Sequence, residues 1–317
     1  MKICYEHIEL SVMRKKRKIW LYFSYLSLSS FILYLLSSLH RNQSSHITPD
    51  IVIPRNLPKC LVIGVRKGGT RALIDMMGLH SKIKPAGTEI HFFDSDTNFL
   101  KGLKWYSSQI PILKSDDEIS VEKTPSYFVT EVAPERVRSM NKSIRLLLIV
   151  RDPVTRLVSD YAQILDNHRS KNLKYFKFES LALRPDGTIN TKYDALSRSI
   201  YVRFMKLWLK HFSLNQFHIV NGDRLIKKPW HEIRKVEKFL NLPHEIMKKH
   251  FYFNASKGFH CLRTSSSSTT GRCLAKSKGR QHPNISSSVV TKLRTFFKPY
   301  NYEFYDLVNM DFGWPED

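Results

Sequence analysis

Lys67 stands immediately before a glycine pair in CLVIGVRKGGTRAL, residues 60–73, and Arg151 closes an apolar run in IRLLLIVRDPVTRLVSDYAQ, residues 144–163. Both stretches read as a buried strand, a tight turn and a helix. At the first turn the amides of Gly68, Gly69 and Thr70 converge above a helix N-terminus, whose dipole favours negative charge. Lys67 adds a point charge at the lip. A nucleotide-hydrolase loop, G-x-x-x-x-G-K-[ST], has its lysine after the last glycine, so this loop serves a different anion. Arg151 leaves its strand where a second anionic group would sit, with Ser159 further along the following helix. Two such turns at one sheet edge suit a nucleotide with both 5′ and 3′ phosphates. Singly they say less: a glycine pair is often only a turn, and Arg156 and Asp160 could be a solvated i,i+4 pair.

GTEIHFFD, residues 87–94, supplies the acid–base candidate. In an extended segment Glu89 and His91 share one side, with Ile90 and Phe92 on the other. Glu89 is the expected general base, and His91, whose imidazole ordinarily titrates near 6.5, is the second choice. The plain alternative is an edge strand with an exposed carboxylate.

The elements that must position these residues follow from the hydrophobic pattern. Apolar runs at 61–65, 144–150 and 217–220, with a shorter one at 119–121, resemble buried parallel strands. Helical spacing covers 70–79, 154–165, 199–212 and 229–240, the last opening on a proline. Alternating strands and helices predict an α/β fold, a central mostly parallel sheet with helices on both faces. Ligands then sit beyond the carboxyl ends of the strands. No internal repeat is present.

The net charge is +23; the first 50 residues hold 7 basic and 3 acidic side chains, leaving 44 and 25 for the remainder. The folded part is therefore itself basic, which suits a polyanion, nucleic acid or a sulfated sugar chain, and speeds encounter with small anions. Residues 19–39 carry no charge and are long enough to span a bilayer. RKKRK at 14–18 precedes them and only Arg41 follows closely, so the expected topology is a type II signal-anchor. The expected division is a cytoplasmic tail 1–18, a transmembrane helix 19–39, a luminal stem 40–56 and a catalytic domain 57–317. A cleaved signal peptide is the alternative for the apolar run. A luminal domain argues against nucleic acid. It also suits a glycoprotein, with sequons at Asn42, Asn141, Asn254 and Asn284, and a disulfide between Cys261 and Cys273, although free buried thiols are the other reading of that pair.

RKGGTRAL, EIHFFD, EKTPSYF, PERVRSMN, RDPVTRLVSDYAQ and SKGRQHP occur in this order. Together they resemble the heparan sulfate glucosamine 3-O-sulfotransferases, over roughly residues 57–314. The resemblance implies a P-loop-like sulfotransferase fold, 3′-phosphoadenosine 5′-phosphosulfate as donor, no metal, and heparan sulfate chains as acceptor in the Golgi. It implies donor contacts from Lys67, Gly68, Gly69, Thr70 and Arg71 on the 5′ side. Arg151 and Ser159 take the 3′-phosphate, and Lys278, Gly279, Arg280, Gln281 and His282 close over the nucleotide. Glu89 is the base by the same resemblance. The acceptor cleft takes Glu89, Ile90, His91, Phe92, Phe93 and Asp94, then Lys123, Thr124, Pro125 and Ser126, then Gln163 and Ile164. Lys67 and Lys123 are expected to neutralise charge in the transition state. One departure falls at His260, where the family commonly has a tyrosine against the donor; the serine-rich sequence between Cys261 and Cys273 is a second. N-sulfation of heparan and catalytically silent heparan binding are the rival readings.

Overall fold

The apolar runs form one parallel sheet. In a computed structural model of the chain, which describes residues 56–263, 271–275 and 279–316, β1 (Cys60–Gly64), β2 (Ile83–Pro85), β3 (Ile119–Lys123), β4 (Arg145–Val150) and β5 (Phe217–Asn221) lie in the order β2-β3-β1-β4-β5. Every pairing is parallel. Both faces are covered, so strand residues alternate between two cores instead of between core and water. Leu61 and Ile63 join Leu146, Leu148 and Val150 on one face; Cys60 and Val62 join Leu147 and Ile149 on the other.

Helix α1 (Thr70–Met77) follows β1 and packs Leu73, Ile74 and Met77 onto the second face, beside Ile233 and Val236 of α5 (Pro229–Phe239). The first face takes Tyr201, Val202, Met205 and Trp208 of α3 (Tyr201–Leu209). Helix α2 (Pro153–Ser170) follows β4 and forms a third cluster, packing Leu157 and Tyr161 against Leu293 and Phe297 of α6 (Ser287–Val308). A short helix α4 (Gly222–Lys227) follows β5. Among the features beyond the sequence reading are this α4, the three-residue β2, the long α6 with Pro299 inside it, and an antiparallel sheet of β6 (Phe251–Asn254), β7 (Phe259–Arg263) and β8 (Gly271–Arg272). Cys261 of β7 is disulfide-bonded to Cys273 just past β8.

All described residues belong to the unit Pro54–Asp317. Among them no helix is long and apolar enough to cross a membrane. The expected tail, anchor at 19–39 and nearly all of the stem lie outside the described residues, as does Lys278. Asn56, expected as the last stem residue, hydrogen-bonds the domain: its side-chain amide donates to the Ile110 carbonyl at 2.7 Å, and Ser107 Oγ donates to the Asn56 carbonyl at 2.9 Å.

Candidate active site

Beyond the carboxyl ends of β1, β4 and β5 lies a cleft of about 470 Å³. Its floor is the turn from β1 into α1. Gly69 is the N-cap of α1, with φ 112° and no side chain capping the first amides of the helix. A Cβ at Gly68 would stand 2.5 Å from the Ile149 carbonyl oxygen, so the loop approaches β4 more closely than any side chain allows. The result is a backbone cradle at a helix N-terminus, which fits a phosphate-like group. Lys67, itself at φ 70°, donates to Gln163 Oε1 at 3.0 Å from across the cleft.

The second turn is built differently. Asp152 caps α2, its carboxylate accepting the Thr155 amide at 2.9 Å, so that helix end already has its negative charge. An anion there must be met by side chains. Arg151 supplies the charge, held with its Nε 2.8 Å from Asp223 Oδ1, and Ser159 lines the same cleft. Gly222 opens α4 between the two turns: a Cβ on it would lie 2.6 Å from Arg151 Cγ and 2.6 Å from the Gly68 carbonyl oxygen.

Arg156 and Asp160 do form an i,i+4 pair, at 3.1 Å, but the expectation of a solvated pair is corrected, since they are 1% and 2% exposed. Arg156 also donates to Ser199 Oγ at 2.7 Å and to the Arg66 carbonyl at 3.2 Å, and Arg66 Nε reaches Asp160 at 2.9 Å. Burial alone would raise the Asp160 carboxyl; the Arg156 and Arg66 charges overcome it and hold it below the ordinary carboxylate range. This pair braces the first turn from behind.

Glu89 lies at the cleft wall, ion-paired to Lys123 Nζ at the end of β3. His91 Nε2 is 3.6 Å from Glu89 Oε2, and its Nδ1 is 2.8 Å from Asp94 Oδ2, which also accepts from Ser126 Oγ. A row Lys123–Glu89–His91–Asp94 results, with a half-exposed carboxylate available to an incoming hydroxyl. The segment is not an edge strand: His91 takes φ 54°, and Asn98 Nδ2 donates to the Ile90 and His91 carbonyls at 3.2 and 3.1 Å.

The cleft gathers Lys67, Gly68, Gly69, Thr70, Arg71, Arg151, Ser159, His260, Gly279, Arg280 and His282 with Glu89, His91, Pro125, Ser126 and Gln163. Ile90, Phe92, Phe93 and Thr124, expected in the acceptor cleft, are instead buried, at 8%, 1%, 0% and 0% exposure, and do not line it. Phe92 stacks on Tyr106 at 4.4 Å, and Phe93 meets Tyr127 edge-on at 5.2 Å, so the pair anchors the segment from beneath. Lys123 is nearly buried and acts through Glu89; Ile164 and Gln281 lie off the cleft lining. His260 turns its Nδ1 to the Ile226 carbonyl at 3.2 Å and packs edge-on against Trp230. Gly222 and Asp223 were missed, although a glycine directly after the strand run at 217–220 was a readable signal. Among the described residues no group of His, Cys, Asp and Glu is arranged to hold a metal.

The family profile "Sulfotransferase domain" matches residues 57–309, which makes the chain a sulfotransferase-domain protein, and the two turns on a parallel sheet with a carboxylate–lysine pair beside them are compatible with that class. The chain belongs to the heparan sulfate glucosamine 3-O-sulfotransferase family. It is 51% identical over 262 residues to mouse "Heparan sulfate glucosamine 3-O-sulfotransferase 5", covering 82% of this chain and 75% of that protein. The human protein of the same name is 50% identical with the same coverage, and human "Heparan sulfate glucosamine 3-O-sulfotransferase 3B1" is 45% identical, covering 82% and 65%. The "Crystal Structure of Sulfotransferase from Alicyclobacillus acidocaldarius" shares the fold, with TM-score 0.57 and 15% identity over 80% of this chain and 97% of that one.

Protonation of the cleft is coupled to what it binds. His282 keeps solvent contact, yet partial burial, then the charges of Arg151 and Lys67, hold its imidazole below the ordinary 6.5. An anion bound beside Arg151, Lys67 and His282 would favour the imidazolium, so its pKa should rise on binding. At pH values between the free and the bound pKa, binding should then take up a proton, and affinity should increase as pH falls. Calorimetry of adenosine 3′,5′-bisphosphate near pH 6.5 should give heats that differ between buffers of different ionisation enthalpy, and His282→Gln should remove the difference. Heats independent of buffer in the wild type would count against the linkage.

Proposed function

We propose that the protein transfers a sulfuryl group from 3′-phosphoadenosine 5′-phosphosulfate to the 3-OH of glucosamine residues in heparan sulfate. The observation that carries the reading is one cleft holding both cationic turns together with the Glu89–Lys123 pair. The donor, when bound, supplies a sulfuryl group on a 5′-phosphate leaving group. The cradle of Gly68, Gly69 and Thr70 with Lys67 suits that 5′ side, Arg151 and Ser159 the 3′-phosphate, and Gly279 to His282 the covering side. Glu89 accepts the proton of the attacking hydroxyl as the new O–S bond forms and the bond to the departing phosphate breaks. Lys67 and Lys123 supply positive charge close to the reacting atoms, and His91 with Asp94 orients the acceptor. The basic excess of the domain holds the sulfates and carboxylates of the sugar chain.

Residues 19–39 anchor the protein as a type II membrane protein, with the domain in the Golgi lumen. The uncharged run behind RKKRK and the Cys261–Cys273 disulfide support this reading.

Disaccharide analysis of heparan sulfate incubated with the protein and donor tests the activity. The expected product is 3-O-sulfated glucosamine. New N-sulfoglucosamine without it would make the protein an N-sulfotransferase, and retention on heparan with no sulfate incorporated would make it a binder.

A further inference from the structure

Of the buried carboxylates that the reaction just described leaves unused, one stands next to its lysine. Glu122 precedes Lys123 in β3 and is fully buried. Its hydrogen bonds lead to the segment that carries Glu89 and His91. The His91 N–H reaches Thr124 Oγ1 at 3.4 Å, and that hydroxyl donates to Glu122 Oε1 at 2.5 Å. The next amide, of Phe92, donates to the buried Tyr127 hydroxyl at 3.0 Å. Tyr106 adds its hydroxyl, 3.4 Å from Oε2.

His91 itself holds φ 54°. A left-handed backbone is strained where the residue carries a side chain and persists only where its surroundings fix it. Here the His91 amide is held by the Thr124 hydroxyl, which is itself fixed on Glu122. Burial pushes the Glu122 carboxyl up to about 7, against the hydrogen bond from Thr124 and the nearby Lys123 charge. A leucine of similar volume would fill the space without that cost, so packing alone does not account for a glutamate.

We propose that Glu122 is a positioning residue for sulfuryl transfer: it fixes the backbone at His91 so that Glu89 stays on Lys123 and His91 on Asp94 at the cleft wall. The proposal rests on the reading of Glu89 as base. Glu122 touches neither ligand and acts only through this segment.

The test compares Glu122→Leu, which removes every acceptor, and Glu122→Gln, which keeps one amide oxygen, with Glu89→Gln alongside. Turnover, KM for heparan sulfate, calorimetric Kd for adenosine 3′,5′-bisphosphate and Tm are measured for each. Loss of alignment costs on the order of 10²-fold in kcat. Glu122→Leu should show that loss with bisphosphate affinity unchanged, and Glu122→Gln should recover part of it. Wild-type kcat in Glu122→Leu would overturn the proposal. So would a parallel fall of kcat, bisphosphate affinity and Tm, which is the mark of a merely structural residue. If Glu122→Leu does not fold, the same split between kcat and Kd is read on Glu122→Gln. An active Glu89→Gln would remove the base itself and the proposal with it. An inactive Glu89→Gln beside fully active Glu122 variants would sink the positioning role alone.

Discussion

Glu89→Gln should give a folded protein that binds adenosine 3′,5′-bisphosphate as the wild type does and transfers almost no sulfate, with turnover down about 10²- to 10⁴-fold. The amide keeps the shape of the side chain but cannot take the hydroxyl proton. Donor binding should survive, because the cationic turns after β1 and β4 owe nothing to Glu89. The residual rate should lose the acid limb of the pH profile that a carboxylate base produces. His91→Ala is the informative comparison. Its ring lies between two carboxylates, 3.6 Å from Glu89 and 2.8 Å from Asp94, so its removal should weaken the acceptor and leave the limb in place. Near-normal turnover in Glu89→Gln together with loss of activity in His91→Ala would transfer the role of base to the histidine.

Arg151→Ala should weaken the bisphosphate about 10- to 150-fold, the equivalent of roughly 1.5–3 kcal/mol for a charge-assisted hydrogen bond. KM for the acceptor should change far less. Two effects add. The α2 end is capped by Asp152 and offers no compensating amides, and Asp223 loses the cation it pairs with at 2.8 Å and is left facing the anion. Asp223→Asn separates these contributions, since it leaves Arg151 in place and should cost less than Arg151→Ala. Unchanged calorimetric affinity in Arg151→Ala would place the 3′-phosphate elsewhere.

Four strands and four helices were legible because a sheet covered on both faces leaves uninterrupted apolar runs, and the helices after them keep their spacing. What escaped was either too short or too irregular. Ile83–Pro85 spans three residues, and α6 carries a proline that reads as a break. Lys67, Arg151 and Glu89 were readable where they stand because each sits at the end of a recognisable pattern. The partners that aim them were not. Asp223 is 72 positions from Arg151 and Gln163 is 96 from Lys67, separations that only the strand order closes. Phe92 and Phe93 entered the acceptor list because they belong to a motif, and motif membership does not say which way a ring points. Glu122 was hidden by its neighbour: in a strand ending in Glu-Lys, the exposed pair is the ordinary reading, yet one carboxylate faces the core while the lysine serves Glu89.

Gly222 separates two properties of the cleft. A side chain there would collide with the Gly68 carbonyl on one side and with Arg151 Cγ on the other, so its absence sets how closely the two turns approach, while Lys67 and Arg151 bring the charge. If the turns hold the two phosphates of the donor, the cleft is a gauge as well as a trap. Substitutions at the cationic side chains should then weaken or strengthen the grip without changing the length being measured, and a nucleotide whose second phosphate sits at the wrong ribose position should be refused by geometry that charge cannot repair. Discrimination of that kind would reside in a single hydrogen atom where every other amino acid has a carbon.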